Sequence, residues 1–361
     1  MSARPRIGFD VTALLAGDTG VARYVRELGC ALERRNVELI RFAIGRGNHS
    51  DALPGNTRRV RMPLRLVHLS WSIAGMPSGE HLARGCDVVH TPDLVPPPTR
   101  RPLVLTVHDL VALEHPDMHP PRAEAAQRSQ LAAARDRAAV VLSVSEATAA
   151  ALRDRGVDAA RIVVAPNGLT MLPSPDRSIV PSVPYLLAVG SLTPRKGLDT
   201  LIAAFARAAL PESIGLVLAG PHGWEASTVF AAIERHDPAG RITCTGRVTD
   251  AQLAALYEGC VAVCVPSVAE GFGLPVLEAA AAGAAVVASD LPVFRELAGS
   301  IALYAPVGDE QAWADALERI VADDELRTAA VAKGRVVAAE HTWDRAAEIT
   351  LAAYERAQQE A

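Results

Sequence analysis

Glu270 and Glu278 stand eight residues apart and bracket Gly271-Phe272-Gly273-Leu274-Pro275-Val276-Leu277. Two glycines free the backbone there to fold tightly and to turn N–H groups outward. Pro275 suits the first turn of a helix, where its missing N–H costs nothing. This reading puts Glu270 on a loop and Glu278 in the helix's first turn. Carboxylates suit sugar and ribose recognition, because each accepts paired hydrogen bonds from neighbouring hydroxyls. A plainer role, acids stabilising a helix N-terminus, accounts for Glu278 alone and leaves the Gly-Phe-Gly unexplained.

A second cluster is Gly190-Ser191-Leu192-Thr193-Pro194-Arg195-Lys196-Gly197. Gly190 and Pro194 shape a turn, and Arg195 and Lys196 fall where a helix begins. A forked guanidinium beside a compact ammonium makes a good diphosphate clamp. The plainer alternative is a surface pair at a strand-to-helix turn. A third loop, Ala16-Gly17-Asp18-Thr19-Gly20, feeds a helix from near Val21, and Gly20 would let a ligand approach the backbone there.

Other chemistries find little support. No Gly-x-x-x-x-Gly-Lys-Ser/Thr is present, no Gly-x-Gly-x-x-Gly follows the first strand, and no Gly-x-Ser-x-Gly occurs. No Asp-x-Asp follows a strand to hold a metal–diphosphate complex. His115 and His119 have helical spacing, but Pro116, Pro120 and Pro121 argue against a helical metal site.

The elements that must position these residues are legible as periodicity. Short apolar runs read as buried parallel strands: Ile7–Phe9, Asp87–His90, Leu103–His108, Val140–Val144 and Ile162–Ala165, then Tyr185–Val189, Leu216–Ala219, Ile242–Thr245, Val261–Val265 and Ala285–Ala288. Amphipathic stretches such as Val21–Glu33, Ala123–Ala138 and Asp199–Ala209 lie between them. The alternation predicts an α/β fold of two Rossmann-like, doubly wound parallel-sheet domains. Pro166–Pro184 carries five prolines and an Asn-Gly, so the boundary is expected there. The predicted division is 1–170, 171–342 and a final helix, 343–361, crossing back to the first domain. A cleft between such domains is a favoured ligand site.

Charge and composition bound the remainder. The 361 residues carry a net charge of −5 and are half hydrophobic, which excludes disorder as the main state. The first 170 residues are net +5 and the rest net −10, and the only lysines are Lys196 and Lys333. The N-terminus does not read as a signal peptide, and no apolar run would span a bilayer. The five cysteines are expected as buried free thiols in a reducing cytosol. Arg58-Arg59-Val60-Arg61, Arg65, His68 and Trp71 could dock on an anionic lipid or acceptor, or form a solvated loop.

The Glu270–Glu278 segment resembles the paired-glutamate motif of the retaining glycosyltransferases of family 4, which have the GT-B fold. Agreement continues in order along the chain: Gly20-Val21-Ala22-Arg23-Tyr24, Val107-His108-Asp109, Val144-Ser145-Glu146, Pro166-Asn167-Gly168, Pro194-Arg195-Lys196-Gly197, Gly246-Arg247-Val248 and Trp343. The resemblance implies roles. Arg195 and Lys196 would bind the donor diphosphate and stabilise the leaving group without a metal. Glu278 would hold the ribose hydroxyls. Glu270 would hold the transferred sugar, with backbone amides of Phe272, Gly273 and Leu274 nearby. His108 would lie beside the donor sugar, Gly20 would approach the diphosphate, and the main chain around Val248 would contact the base. Ser191 stands where many members carry an arginine, which shifts that role to Arg195 and leaves Ser191 as a donor contact.

The implied activity is transfer, with retention, of a hexose to a hydroxyl of a glycan, a glycolipid or a small molecule. No cofactor and no nucleic acid partner are expected. The Pro-Arg-Lys form tilts the donor slightly towards GDP-mannose over UDP-sugars. The implied location is cytoplasmic, peripheral at the inner face of the membrane if the basic stretch docks there. Two alternatives stay open: a nucleotide-sugar epimerase on the same fold, and a non-catalytic nucleotide-sugar-binding protein.

Overall fold

The computed structural model describes residues 5–17, 19–47, 49, 52–92, 95–237 and 239–360, with the side chains of residues 64, 65, 68 and 72 outside that description. The chain divides into two compact units. One comprises the described residues of Met1–Glu114, Pro121–Gly168 and Thr342–Ala361; the other, those of His115–Pro120 and Leu169–His341.

The first unit is built on a seven-stranded parallel sheet. Its strands are β1 (Arg6–Asp10), β2 (Glu38–Ile44), β3 (Arg58–Val60), β4 (Val88–Thr91), β5 (Leu103–Val107), β6 (Val140–Ser143) and β7 (Ile162–Val164), in the order β3-β2-β1-β4-β5-β6-β7. The second unit holds a six-stranded parallel sheet. It comprises β8 (Tyr185–Val189), β9 (Gly215–Ala219), β10 (Ile242–Gly246), β11 (Ala262–Val265), β12 (Ala285–Ser289) and β13 (Ala302–Ala305), in the order β10-β9-β8-β11-β12-β13. This is the GT-B pair of Rossmann-like sheets.

The central strands are near-continuous apolar runs because helices cover both faces of each sheet. Strands β5, β6, β11 and β12 are buried at every position. Leu28, Leu32, Phe9 and Ile7 are fully buried in the first unit, and Trp313, Phe205 and Leu201 in the second.

Three strands carry no clear apolar run in the sequence. In β2, Glu38 and Arg41 interrupt the pattern, and Arg41 is buried through an ion pair with Glu33 at 2.6 Å. Strand β13 lies at a sheet edge and is half-exposed. Strand β3 corrects the reading of Arg58–Arg61 as a solvated loop: Arg58–Val60 pairs in parallel with Phe42–Ile44. The Arg58 guanidinium donates to the His81 carbonyl, and Arg59 donates to the carbonyls of Gly45 and Gly47. The side chains of Arg65 and His68 lie outside the described residues.

Between Pro166 and Pro184 the only regular element is a short 3-10 turn, Arg177–Ile179. Gly168 is required where the chain returns to the first unit, because a Cβ there would sit 2.3 Å from the Trp343 nitrogen. The last helix, Trp343–Gln359, lies in that unit. Asp344 pairs with Arg34 at 3.0 Å and Glu348 with Arg35 at 3.3 Å. The five cysteines are free, but burial was over-predicted: Cys30 sits on the exposed face of the helix Gly20–Arg34.

Candidate active site

In a doubly wound sheet, ligands bind beyond the carboxyl ends of the strands, where the strand order reverses. In the second unit that place lies between β8 and β11, paired through Leu186↔Ala262 and Leu187↔Val263. The loop after β8 carries Arg195 and Lys196, and the loop after β11 carries Glu270.

Pro194–Lys196 forms a 3-10 turn, and Gly197 ends it at φ 59° before the helix Leu198–Arg207. Only glycine fits there, since a Cβ would lie 2.1 Å from the Pro266 carbonyl oxygen. That close approach binds the two loops together. The Val268 N–H donates to the Arg195 carbonyl at 2.8 Å. Gly190, at φ 143°, leaves room for the Lys196 stem; a Cβ there would be 3.2 Å from Lys196 Cε.

The side chains converge on Glu270. Its Oε1 accepts from Lys196 Nζ and, at 3.0 Å, from Ser267 Oγ. Its Oε2 lies 3.0 Å from Arg195 Nη1, which also donates to the Ala269 carbonyl at 2.9 Å. The three charged side chains are 22%, 13% and 11% exposed for Arg195, Lys196 and Glu270, so water screens them weakly. Burial works to raise the Glu270 carboxyl, but the charges of Arg195 and Lys196 and the hydrogen bonds from Lys196 and Ser267 outweigh it, leaving it at about 2.

The helix Leu274–Ala282 starts just after. Gly273 caps it at φ 101°, and a Cβ there would strike the Phe294 ring at 2.8 Å. Pro275 falls in the first turn, as its type predicts. Glu278 does not: it is the fifth helical residue, in the second turn, and no acid occupies the first. The helix-terminus explanation therefore fails for it. Glu278 is buried, and its Oε2 accepts from the Tyr257 hydroxyl at 2.9 Å. Phe272 is buried with its ring edge-on to His341, centroids 6.0 Å apart.

Ser191 lies in the loop after β8, which packs on the loop after β9. Leu192 N–H donates to the Pro221 carbonyl at 2.9 Å, and Gly223 N–H to the Leu192 carbonyl at 3.1 Å. Val248 follows β10, just ahead of the helix Asp250–Gly259.

His108 and Gly20 belong to the first unit. His108 follows β5; its Nε2 donates to the Pro92 carbonyl at 3.0 Å, and its ring meets Tyr24 edge-on at 4.7 Å. Gly20 is exposed and opens the helix Gly20–Arg34, whose cap is Thr19 Oγ1 accepting from Ala22 N–H at 3.1 Å. Asp18 lies outside the described residues. Among the described residues no group of three His, Cys, Asp or Glu could hold a metal ion, His115 and His119 included.

Two residues of this site escaped sequence reasoning. Ser267 is fully buried and fastens Glu270 from the end of β11. Tyr257 reaches Glu278 from the helix Asp250–Gly259. A small hydroxyl two residues after a buried strand was a usable signal for Ser267. Tyr257 carries none, because its partner lies 21 residues on.

Comparison with known proteins follows the same division. Residues 19–170 match the family model "Glycosyltransferase Family 4", and residues 175–337 match "Glycosyl transferases group 1". The O-antigen chain mannosyltransferase B of Escherichia coli is similar at 27% identity, over 93% of this chain and 96% of its own. Among solved structures, sucrose-phosphate synthase of Thermosynechococcus elongatus superposes with a TM-score of 0.81 at 24% identity, covering 98% of each chain. HepE of Anabaena, solved with UDP and glucose, gives a TM-score of 0.75 at 20% identity, over 96% of this chain and 99% of its own. With two family models matched in order along the chain and a Rossmann-like parallel sheet in each unit, the protein belongs to the family 4 glycosyltransferases.

Proposed function

We propose that this glycosyltransferase moves a hexose, mannose in preference, from a nucleotide-diphospho-sugar to a hydroxyl of a glycan, a glycolipid or a small molecule, with retention and without a metal. The observation that carries this reading is the Arg195–Lys196 pair, gathered with Glu270 where the strand order of the second sheet reverses. Two fixed cations at that place suit a diphosphate, and they suit it best as the departing phosphate gains charge. The N–H groups of Gly273 and Leu274, at the head of a helix with no side-chain cap, add positive potential. Glu278 takes the ribose hydroxyls, the main chain at Val248 the base, and Ser191 a donor phosphate. Glu270, held ionised, is a poor proton acceptor at neutral pH, so the leaving phosphate oxygen takes the acceptor's proton.

Mannose is preferred because the relative aligned over almost the whole chain is named a mannosyltransferase. HepE, whose fold this chain shares, was solved with UDP, so uridine donors stand as the competing choice. A thermal-shift panel of UDP-, GDP-, dTDP- and ADP-sugars tests the donor, since a ligand that binds the native state stabilises it by mass action. The expected outcome is one base standing out, GDP first. No shift with any of them overturns the reading. NMR of the anomeric proton in the product tests retention.

The membrane side of the reading concerns the helix Leu64–Ala74. Leu66, Leu69 and Ile73 lie on one helical face and are exposed, with Met62 and Met76 at its two ends. Val67, on the opposite side, is fully buried. No acid occurs between residues 52 and 79, while Arg58, Arg59, Arg61 and Arg65 all do. An apolar face in a stretch of chain whose charged residues are all basic suits an anionic bilayer surface better than a second copy of itself. Sedimentation with phosphatidylglycerol vesicles, lost in Leu69→Glu and absent with phosphatidylcholine alone, is the expected result; no sedimentation with either overturns it.

A further inference from the structure

Glu270 is more heavily engaged than a sugar-binding carboxylate needs to be. Lys196 and Ser267 occupy Oε1, and Arg195 occupies Oε2. The carboxylate therefore bridges the two cations that the donor-binding reading assigns to a diphosphate. Buried cations without a counter-ion are costly, which explains why an acid sits between them. The same acid repels any second anion that arrives.

We propose that Glu270 is a built-in counter-ion, which holds Arg195 and Lys196 ready and gives up at least one of them to the diphosphate of the ligand. This rests on the donor-binding reading above and deepens it. The charges argue for the exchange: Arg195 and Lys196 together match the two negative charges of a diphosphate diester, so the carboxylate between them becomes the surplus anion and is displaced. The carboxylate oxygen released by the exchange is then the one that can accept from hydroxyls of the transferred sugar. When the nucleoside diphosphate leaves after transfer, Glu270 closes back onto the cations and favours its departure. The site thus prefers a diphosphate with a sugar attached to the diphosphate alone, because only the former supplies the released oxygen with new partners.

Isothermal titration of the full chain with UDP, GDP, uridine and guanosine tests this. The charge-removing variant Glu270→Gln should bind the better nucleoside diphosphate about tenfold more tightly than the wild type. It should bind the nucleoside unchanged, and turn over more slowly because product stays. The charge-keeping variant Glu270→Asp should stay near wild-type affinity. Equal or weaker diphosphate binding by Glu270→Gln, or a parallel change for the nucleoside, overturns the proposal. If neither the wild type nor Glu270→Gln binds the diphosphate of any of the four bases of the thermal-shift panel, the donor-binding reading itself fails. Should Glu270→Gln not fold, carboxyl-labelled glutamate in the unsubstituted protein gives a second readout. The resonance missing or moved in Glu270→Asp must shift on adding the diphosphate and not the nucleoside; an unmoved resonance overturns the exchange.

Discussion

Lys196 is one of two lysines in a chain whose other basic residues are arginine. Its stem lies against Gly190, and its ammonium meets Glu270 in a mostly buried setting. Lys196→Ala should lower kcat by about a hundredfold or more while circular dichroism stays native, because removal of one fixed charge donor has that scale of effect. Full activity would remove Lys196 from the mechanism. Tyr257→Phe leaves Glu278 buried without its hydroxyl donor. The expected outcome is a loss of about 1–3 kcal/mol in urea unfolding together with weaker donor binding, against a purely structural role that would alter stability alone. At this scale the sequence was informative where chemistry is local. Arg195-Lys196 and Glu270…Glu278 are short motifs whose residue types declare a use. Glu278 was misplaced by one turn, because helix starts blur by a residue or two in sequence.

Elements bring those residues together, and glycines set how closely the elements can approach. Gly197 combines a left-handed φ of 59° with a Cβ position 2.1 Å from the Pro266 oxygen. Gly197→Ala must therefore move either the Pro194–Lys196 turn or the end of β11. A destabilisation above about 3 kcal/mol and loss of donor binding are expected, measured by thermal unfolding and titration. Retained wild-type melting would show that the two loops are not locked here. The central strands were readable because burial on both faces selects unbroken runs of Val, Leu, Ile and Ala. Strands β2, β3 and β13 were not: an internal ion pair or an edge position lets polar residues into a strand. The arginines of β3 are the clearest case, since carbonyl groups brought close only by folding receive their guanidinium protons.

At the scale of the whole molecule, each unit depends on residues distant in sequence. In the first unit His90 is fully buried; its Nε2 meets the Thr106 hydroxyl at 2.8 Å and its Nδ1 the Tyr354 hydroxyl at 2.6 Å. Burial first, and the nearby His108 second, pull the His90 imidazole down from 6.5 to about 3. The folded protein then keeps His90 neutral where the unfolded chain protonates it. Stability from this residue is complete above pH 6.5 and falls as pH drops towards 3, by about 1.4 kcal/mol per pH unit. Glu270 acts in the same direction between 4.5 and about 2. Urea unfolding at pH 7.5, 6.5 and 5.5 should show the His90 slope in the wild type and a flatter one in His90→Gln. Equal slopes would remove His90 as the source.

By itself the sequence determined the fold class, the repeated strand–helix alternation, the proline-rich break after residue 165 and the two chemical motifs. All of these are written over short stretches, in periodicity and residue type, and so survive without knowledge of what packs on what. Tertiary structure alone decided the bridge of Glu270 across Arg195 and Lys196, 75 and 74 residues away, and the bond between His90 and Tyr354, 264 residues apart. It also decided what the last helix, expected from the sequence to cross back to the first domain, meets there: Trp343 packs against Tyr24. Such contacts are set by which strand ends the doubly wound order brings side by side, and no local pattern encodes that order.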